Sequence, residues 1–160
     1  MLIGSNKTTT SRPGIEPPIV LDSSVIVAWV LADEPSHERA SVMSEDIAAG
    51  RIQAIIAPNT SFEIRSAFVR AARRKRIEWN AIPPRLAYIQ AMSLVRARID
   101  FPDRELLRLC RSYRLGWGDA HHVLVAERLR LPLVTADERL VQALAGSTIW
   151  AESIASRPLP

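Results

Sequence analysis

A single cysteine, Cys110, stands in 160 residues, so no internal disulfide can form and a reducing cytoplasm is the expected compartment. No apolar run approaches the ~20 residues that span a bilayer; the longest is about the stretch from Val25 to Ala32, so no membrane association is expected. The opening MLIGSNKTTTSRPG lacks the hydrophobic centre of a signal peptide. Its Ser, Thr, Gly and Pro content predicts a flexible leader over residues 1–17. Neither a P-loop nor a dinucleotide-binding glycine pattern occurs. No serine–histidine–acid arrangement is apparent, and no internal repeat or low-complexity stretch follows the leader. The aromatics build no base-stacking platform: Trp29 and Phe68 fall on apolar helix faces and are expected in the core. Only Trp117, beside Asp119, stands where a substrate would pass.

What is present is ordinary globular material, with 48% hydrophobic and 24% charged residues, long enough for one domain without staples. That domain is expected over residues 18–155, with a tail at 156–160. The net charge is +4, from 21 Lys+Arg against 17 Asp+Glu, and arginines concentrate between Arg65 and Arg114. Arginine pairs with phosphate through two donors, so a polyanionic partner and a solvated surface of scattered ion pairs are both open readings.

Apolar runs bounded by turn residues predict strands at about 19–22, 52–58, 131–135 and 147–151. Helices are predicted over about 24–32, 35–50, 61–76, 83–98, 103–115, 119–130 and 138–145, with Gly50, Gly116 and Gly146 as stops. IDF at 99–101 reads as a short strand or turn. Strands that are apolar throughout and alternate with helices predict an α/β fold, a three-layer sandwich with a parallel central sheet flanked by helices.

In such a sheet, ligands bind beyond the carboxyl ends of the strands. Asp22 ends the first strand and Asp137 lies just past the strand at 131–135. Glu63 falls in the first turn of the helix after the second strand, and Asp119 in the first turn of GDAHHVLVAERLR. Each has a helix-end alternative. TSFE at 60–63 matches a capping box, in which Glu63 reaches back to the Thr60 amide. Asp119 suits the helix dipole, and Asp22 and Asp137 can cap the helices after them. Four carboxylates converging on one crevice nevertheless repel one another unless a cation sits among them. Oxygen donors of this kind take a hard divalent ion, Mg²⁺ or Mn²⁺. Ser24 and Thr135 supply hydroxyls to ligate or to orient the carboxylates. His122, three residues past Asp119, can share its helix face, whereas His121 points away. Packing or surface roles are expected of both histidines ahead of metal ligation.

Three blocks, IVLDSSVIVAWVLADE, PNTSFEIRSAFVRAARRKRI and YRLGWGDAHHVLVAERLRLPLVTADERL, together resemble the PIN-domain ribonucleases, in particular the VapC-like toxins of bacterial toxin–antitoxin pairs. The resemblance spans about residues 18–150, and its most specific piece is the Asp-Ala helix opening followed by LPLVTAD. It implies a Mg²⁺-dependent endoribonuclease, with Mn²⁺ able to substitute, whose catalytic and metal-holding quartet falls on Asp22, Glu63, Asp119 and Asp137. Ser24, Thr135 and Ser66 fall beside that quartet as supporting residues. Ser66 stands where related toxins often have asparagine, which loses or alters a supporting hydrogen bond. GWG replaces the usual aromatic or hydroxyl pair before Asp119, and Gly118 is expected to loosen that aspartate. The resemblance further implies a homodimer, a small cognate antitoxin that inserts a segment into the site, and cuts leaving 3′-hydroxyl and 5′-phosphate ends on tRNA, rRNA or mRNA.

Carboxylates holding one or two Mg²⁺ polarise a phosphodiester, lower the pKa of water and stabilise the leaving oxygen. Residues 63, 67, 70 and 74 share one helix stripe, so Arg70 and Arg74 extend from Glu63 as a basic track while Ile64, Phe68 and Ala72 pack inward. RNA-backbone binding by Arg70 and Arg74 competes evenly with a solvated helix end favoured by the dipole. A catalytically inactive PIN-like RNA-binding or interaction module is the alternative function, and the intact quartet speaks against it. A phosphatase with an aspartyl nucleophile needs Asp-x-Asp, and Ser24 occupies the second position.

Overall fold

Residues 16–157 are described by a computed structural model. Most of the expected leader, residues 1–15, and the last three residues of the tail lie outside them. Strand β1 (Ile19–Leu21) shows why the strand runs are apolar throughout. Ile19 and Leu21 pack into one hydrophobic cluster, while Val20 packs into another on the opposite face. β4 (Leu133–Thr135) divides the same way, with Val134 on the first side and Leu133 on the second. A strand covered on both faces keeps no polar side. With β2 (Ala54–Ile56), β3 (Leu94–Arg96) and β5 (Ala151–Ser153) these form a five-stranded, all-parallel sheet in the order β3-β2-β1-β4-β5. β1 lies at its centre, where Val20 pairs with Ile55 on one side and Leu133 on the other.

Helices α1 (Ser23–Val30), α2 (His37–Ala48), α3 (Thr60–Arg73) and α4 (Ile82–Ala91) cover the first face. Helices α5 (Asp103–Tyr113), α6 (Trp117–Leu129) and α7 (Glu138–Leu144) cover the second. The result is the expected three-layer α/β sandwich. Trp29 and Phe68 are buried in the first cluster, as their helix faces predicted. A side chain as large as Phe68, wholly removed from water, stabilises the fold by about 1.5–3 kcal/mol. No helix among the described residues is long and apolar enough to cross a membrane.

Several boundaries differ from the sequence expectation. The helix expected to continue to residue 98 ends at Ala91, and the chain then forms β3. This strand sits at the sheet edge with Val95 and Arg96 exposed, so no buried run marks it. Residues 99–101 form neither strand nor helix; Ile99 and Phe101 pack against the second cluster instead. The last strand starts at Ala151 rather than 147, because Ala151 is the residue that pairs with Leu133, while Ile149 drops into the core. Gly116 is not the stop of α5: the turn is made by Arg114 with φ 55, and Gly116 takes the N-cap position of α6. α6 therefore starts two residues earlier than expected. It runs back against the parallel strands, which brings its start, with Asp119, to the edge where β1 and β4 end.

Candidate metal centre

β1 delivers Asp22 to the N-cap position of α1, yet its carboxylate makes no cap hydrogen bond. Instead Oδ2 accepts from Ser24 Oγ at 2.6 Å and from Thr135 Oγ1 at 2.7 Å. Asp22 is only 5% exposed, and a carboxylate so deeply placed requires such partners. Thr135 and Ser24 are tied in turn to the end of β4. The Thr135 hydroxyl accepts the Asp137 N–H at 3.0 Å, and the Ser24 hydroxyl accepts the Ala136 N–H at 3.0 Å.

Glu63 does not close a capping box. α3 begins at Thr60 with Asn59 in the N-cap position, and the Thr60 N–H donates to the Ala57 carbonyl. The Glu63 carboxylate turns across to α6: Oε1 accepts from Asn59 Nδ2 at 2.7 Å and Oε2 from His122 Nε2 at 2.8 Å. The same Nε2 lies 3.4 Å from Asp22 Oδ1. His122 is wholly buried, so the packing role expected of it is real but incomplete. Ligand atoms of Asp22, Glu63 and His122 all fall within 4.8 Å of one another. His121 does not line the crevice; half-buried, it stacks on Phe101 with ring centroids 5.3 Å apart.

Asp119 occupies the first turn of α6, partly buried. Burial lifts its carboxyl above the usual range; the Asp22 charge adds to this, His122 partly offsets it, and Asp137 and Glu63 add further. The four carboxylates thus share one electrostatic field. Burial opposes a charged His122, but the Asp22 and Glu63 carboxylates outweigh it, so its imidazole titrates above the ordinary histidine range. Asp137 does cap: its Oδ1 accepts the Arg139 N–H at 2.9 Å at the start of α7.

All four carboxylates line one crevice of about 650 Å³. Ser24 and Ser66 face it as well, and no hydrogen bond of the Ser66 hydroxyl is found among the described residues. Along α3 the wall continues through Arg70 and Arg74, while Ile64, Phe68 and Ala72 are buried behind it, as the stripe predicted. Phe62, 74% exposed, stands on the same wall.

Residues 19–145 match the family model described as the PIN domain. The chain belongs to the PIN-domain family. Its PIN fold is also similar to the crystal structure of PAE2754 from Pyrobaculum aerophilum, with a TM-score of 0.62 at 23% identity, covering 88% of this chain and 94% of that one. No curated protein matches the chain. PIN domains are generally metal-dependent nucleases, and the cluster of Asp22, Glu63 and His122 in this one is a possible metal site.

The donors of this PIN domain fit a hard cation. Apart from His122 Nε2 they are oxygens, the set that Mg²⁺ and Mn²⁺ prefer. For Nε2 to ligate, it would have to give up the hydrogen it donates to Glu63, leaving the ring's one N–H on Nδ1, which is buried without a partner among the described residues. Metal-bound imidazoles normally donate that hydrogen to an acceptor. The imidazole therefore fits as a donor to Glu63, leaving the carboxylates to face the cation. Sequence reasoning overlooked Asn59 altogether. Its only signal was an amide four residues before Glu63, the spacing of helical neighbours.

Proposed function

We propose that the protein is a Mg²⁺-dependent endoribonuclease, with Mn²⁺ able to substitute, and the toxin component of a VapBC-like toxin–antitoxin pair. The observation that carries the nuclease reading is the meeting of Asp22, Glu63, Asp119 and Asp137 on one crevice whose wall continues into arginines. When bound, the cation polarises the phosphodiester and activates water for hydrolysis. Asp22, Glu63, Asp119 and Asp137 hold it. Ser24 and Thr135 keep the Asp22 carboxylate turned toward it by donating to Oδ2. Arg70 and Arg74 hold the RNA backbone leading away from the scissile bond.

The toxin role rests on the likeness of three sequence blocks to VapC-like toxins. With it come a homodimer, a small antitoxin protein that blocks the crevice, and action on cytoplasmic RNA. The test is cleavage of total bacterial RNA by the purified protein with Mg²⁺ or Mn²⁺ against EDTA, beside Asp22→Asn and Asp119→Asn. Metal-dependent cutting that both variants lose is the expected outcome. Cutting that survives in the variants, or none with either metal, would return the chain to an RNA-binding or interaction module. Arg70→Ala with Arg74→Ala is expected to weaken RNA binding and to reduce its salt slope by about two. Unchanged affinity would remove the track.

A further inference from the structure

The Glu63 carboxylate is held at both oxygens by Asn59 and His122, residues outside the acidic quartet, and it fits beside a third, Gly118. We propose that Asn59, Gly118 and His122 are positioning residues that act through Glu63, fixing the aim of its carboxylate into the crevice and pinning the start of α3 to the start of α6.

The orientation of the Asn59 amide follows from its neighbours. Nδ2 faces two acceptors, Glu63 Oε1 at 2.7 Å and the Gly118 carbonyl at 3.3 Å. A flipped amide would set Oδ1 against both, which no acceptor tolerates. In the orientation found, Oδ1 is buried with no partner among the described residues. One amide thus joins the N-cap of α3 to the first turn of α6 and holds Glu63 at the joint.

Gly118 explains itself by what it lacks. Its backbone is not in the left-handed region, so conformational freedom does not account for a glycine there. Within a first helical turn glycine is a poor choice. A Cβ at this position, however, would overlap Glu63 Oε1. The missing side chain is the space through which the carboxylate passes, so Gly118 serves Glu63. His122 Nε2 then takes the second oxygen at 2.8 Å from the buried side of α6. A carboxylate held at both oxygens by fixed donors keeps its remaining lone pairs in one direction.

The inference rests on the cation reading above only for its affinity arm. Asn59→Ala, Gly118→Ala and His122→Ala are made alone and together with Glu63→Ala, and Mn²⁺ binding is measured by calorimetry. Each alone is expected to weaken binding by about tenfold or more, as loss of an outer partner does. Asn59→Ala and Gly118→Ala are expected to add no loss once Glu63 is alanine, because both act through it, whereas His122→Ala keeps the smaller effect it has on Asp22, 3.4 Å from Nε2. His122→Gln, which keeps an N–H of similar reach, should recover most of what His122→Ala loses. A second arm uses the metal-free protein, reading the His122 Nε2–H resonance by NMR. Asn59→Ala and Gly118→Ala should move it toward its position in Glu63→Ala. Equal losses in both backgrounds, or an unmoved resonance, would overturn the proposal. Should Gly118→Ala unfold the chain, Asn59→Ala alone decides. A wild type that binds no Mn²⁺ would end the cation reading, while the resonance would still decide the role of the three residues.

Discussion

β1 and β4 are each followed within two residues by an aspartate at the N-cap of a helix, and the two carboxylates have different partners. Asp137 accepts the Arg139 N–H and caps α7, with its side chain 46% exposed. Asp22 holds the same position before α1 and caps nothing, because Ser24 and Thr135 hydroxyls occupy its oxygen inside the fold. The contrast teaches that an N-cap position offers a bond without compelling it. Where a hydroxyl from a neighbouring strand meets one from the helix's own first turn, the two take the carboxylate, and the helix start goes without. Buried so, Asp22 adds repulsion to the crevice that Asp137, half in water, adds more weakly, which is the order in which their charges raise the Asp119 carboxyl.

The contrast breaks most easily through the cation. At Mn²⁺ about one hundred times Kd, urea unfolding of the wild type should show about 2.7 kcal/mol more stability than in EDTA. Asp22→Asn is expected to remove nearly all of that gain while staying folded in EDTA, since the repulsion lost with its charge offsets the attraction to His122 that goes with it. A gain that persists in Asp22→Asn would mean that the ion does not sit at Asp22. Thr135→Val strikes both aspartates at once, deleting the donor to Asp22 and the acceptor of the Asp137 N–H. Its expected cost is about 1–2 kcal/mol in EDTA, and a neutral result would show that neither bond matters. Smallest is the cap itself. Asp137→Ala should lose about 1 kcal/mol and Asp137→Ser almost none; if serine loses as much as alanine, capping is not what Asp137 contributes to stability.

How much of this could be read from the chain depends on the range of the contact. β1 and β4 were legible because both faces of each are buried, leaving runs with no polar residue. β3 was not: its edge position leaves Val95 and Arg96 in water, and the preceding apolar residues of α4 suggest one longer helix. In 147–151, Thr148, Ile149 and Trp150 carry the β preference, but pairing with β4 decides the strand and begins one step later, at Ala151. The four carboxylates could be gathered at one edge from topology alone. What topology does not reveal is which caps are used, since Asp22 and Asp137 look alike in sequence. Nor does it reveal the bond from His122 to Glu63, which crosses 59 positions and depends on a glycine making room.

The placement of β1 between β2 and β4 has a consequence for synthesis. Asp22 leaves the ribosome early, but Thr135, which orients it, follows 113 residues later. At ordinary translation speeds that gap is roughly 6–23 s. During it β1 has only one of its two neighbours, His122 and Asp119 come late, and the half of the crevice already made has no opposite wall. A growing chain therefore carries the first aspartate without a site, and the crevice closes only once Asp119, His122 and Thr135 have followed it.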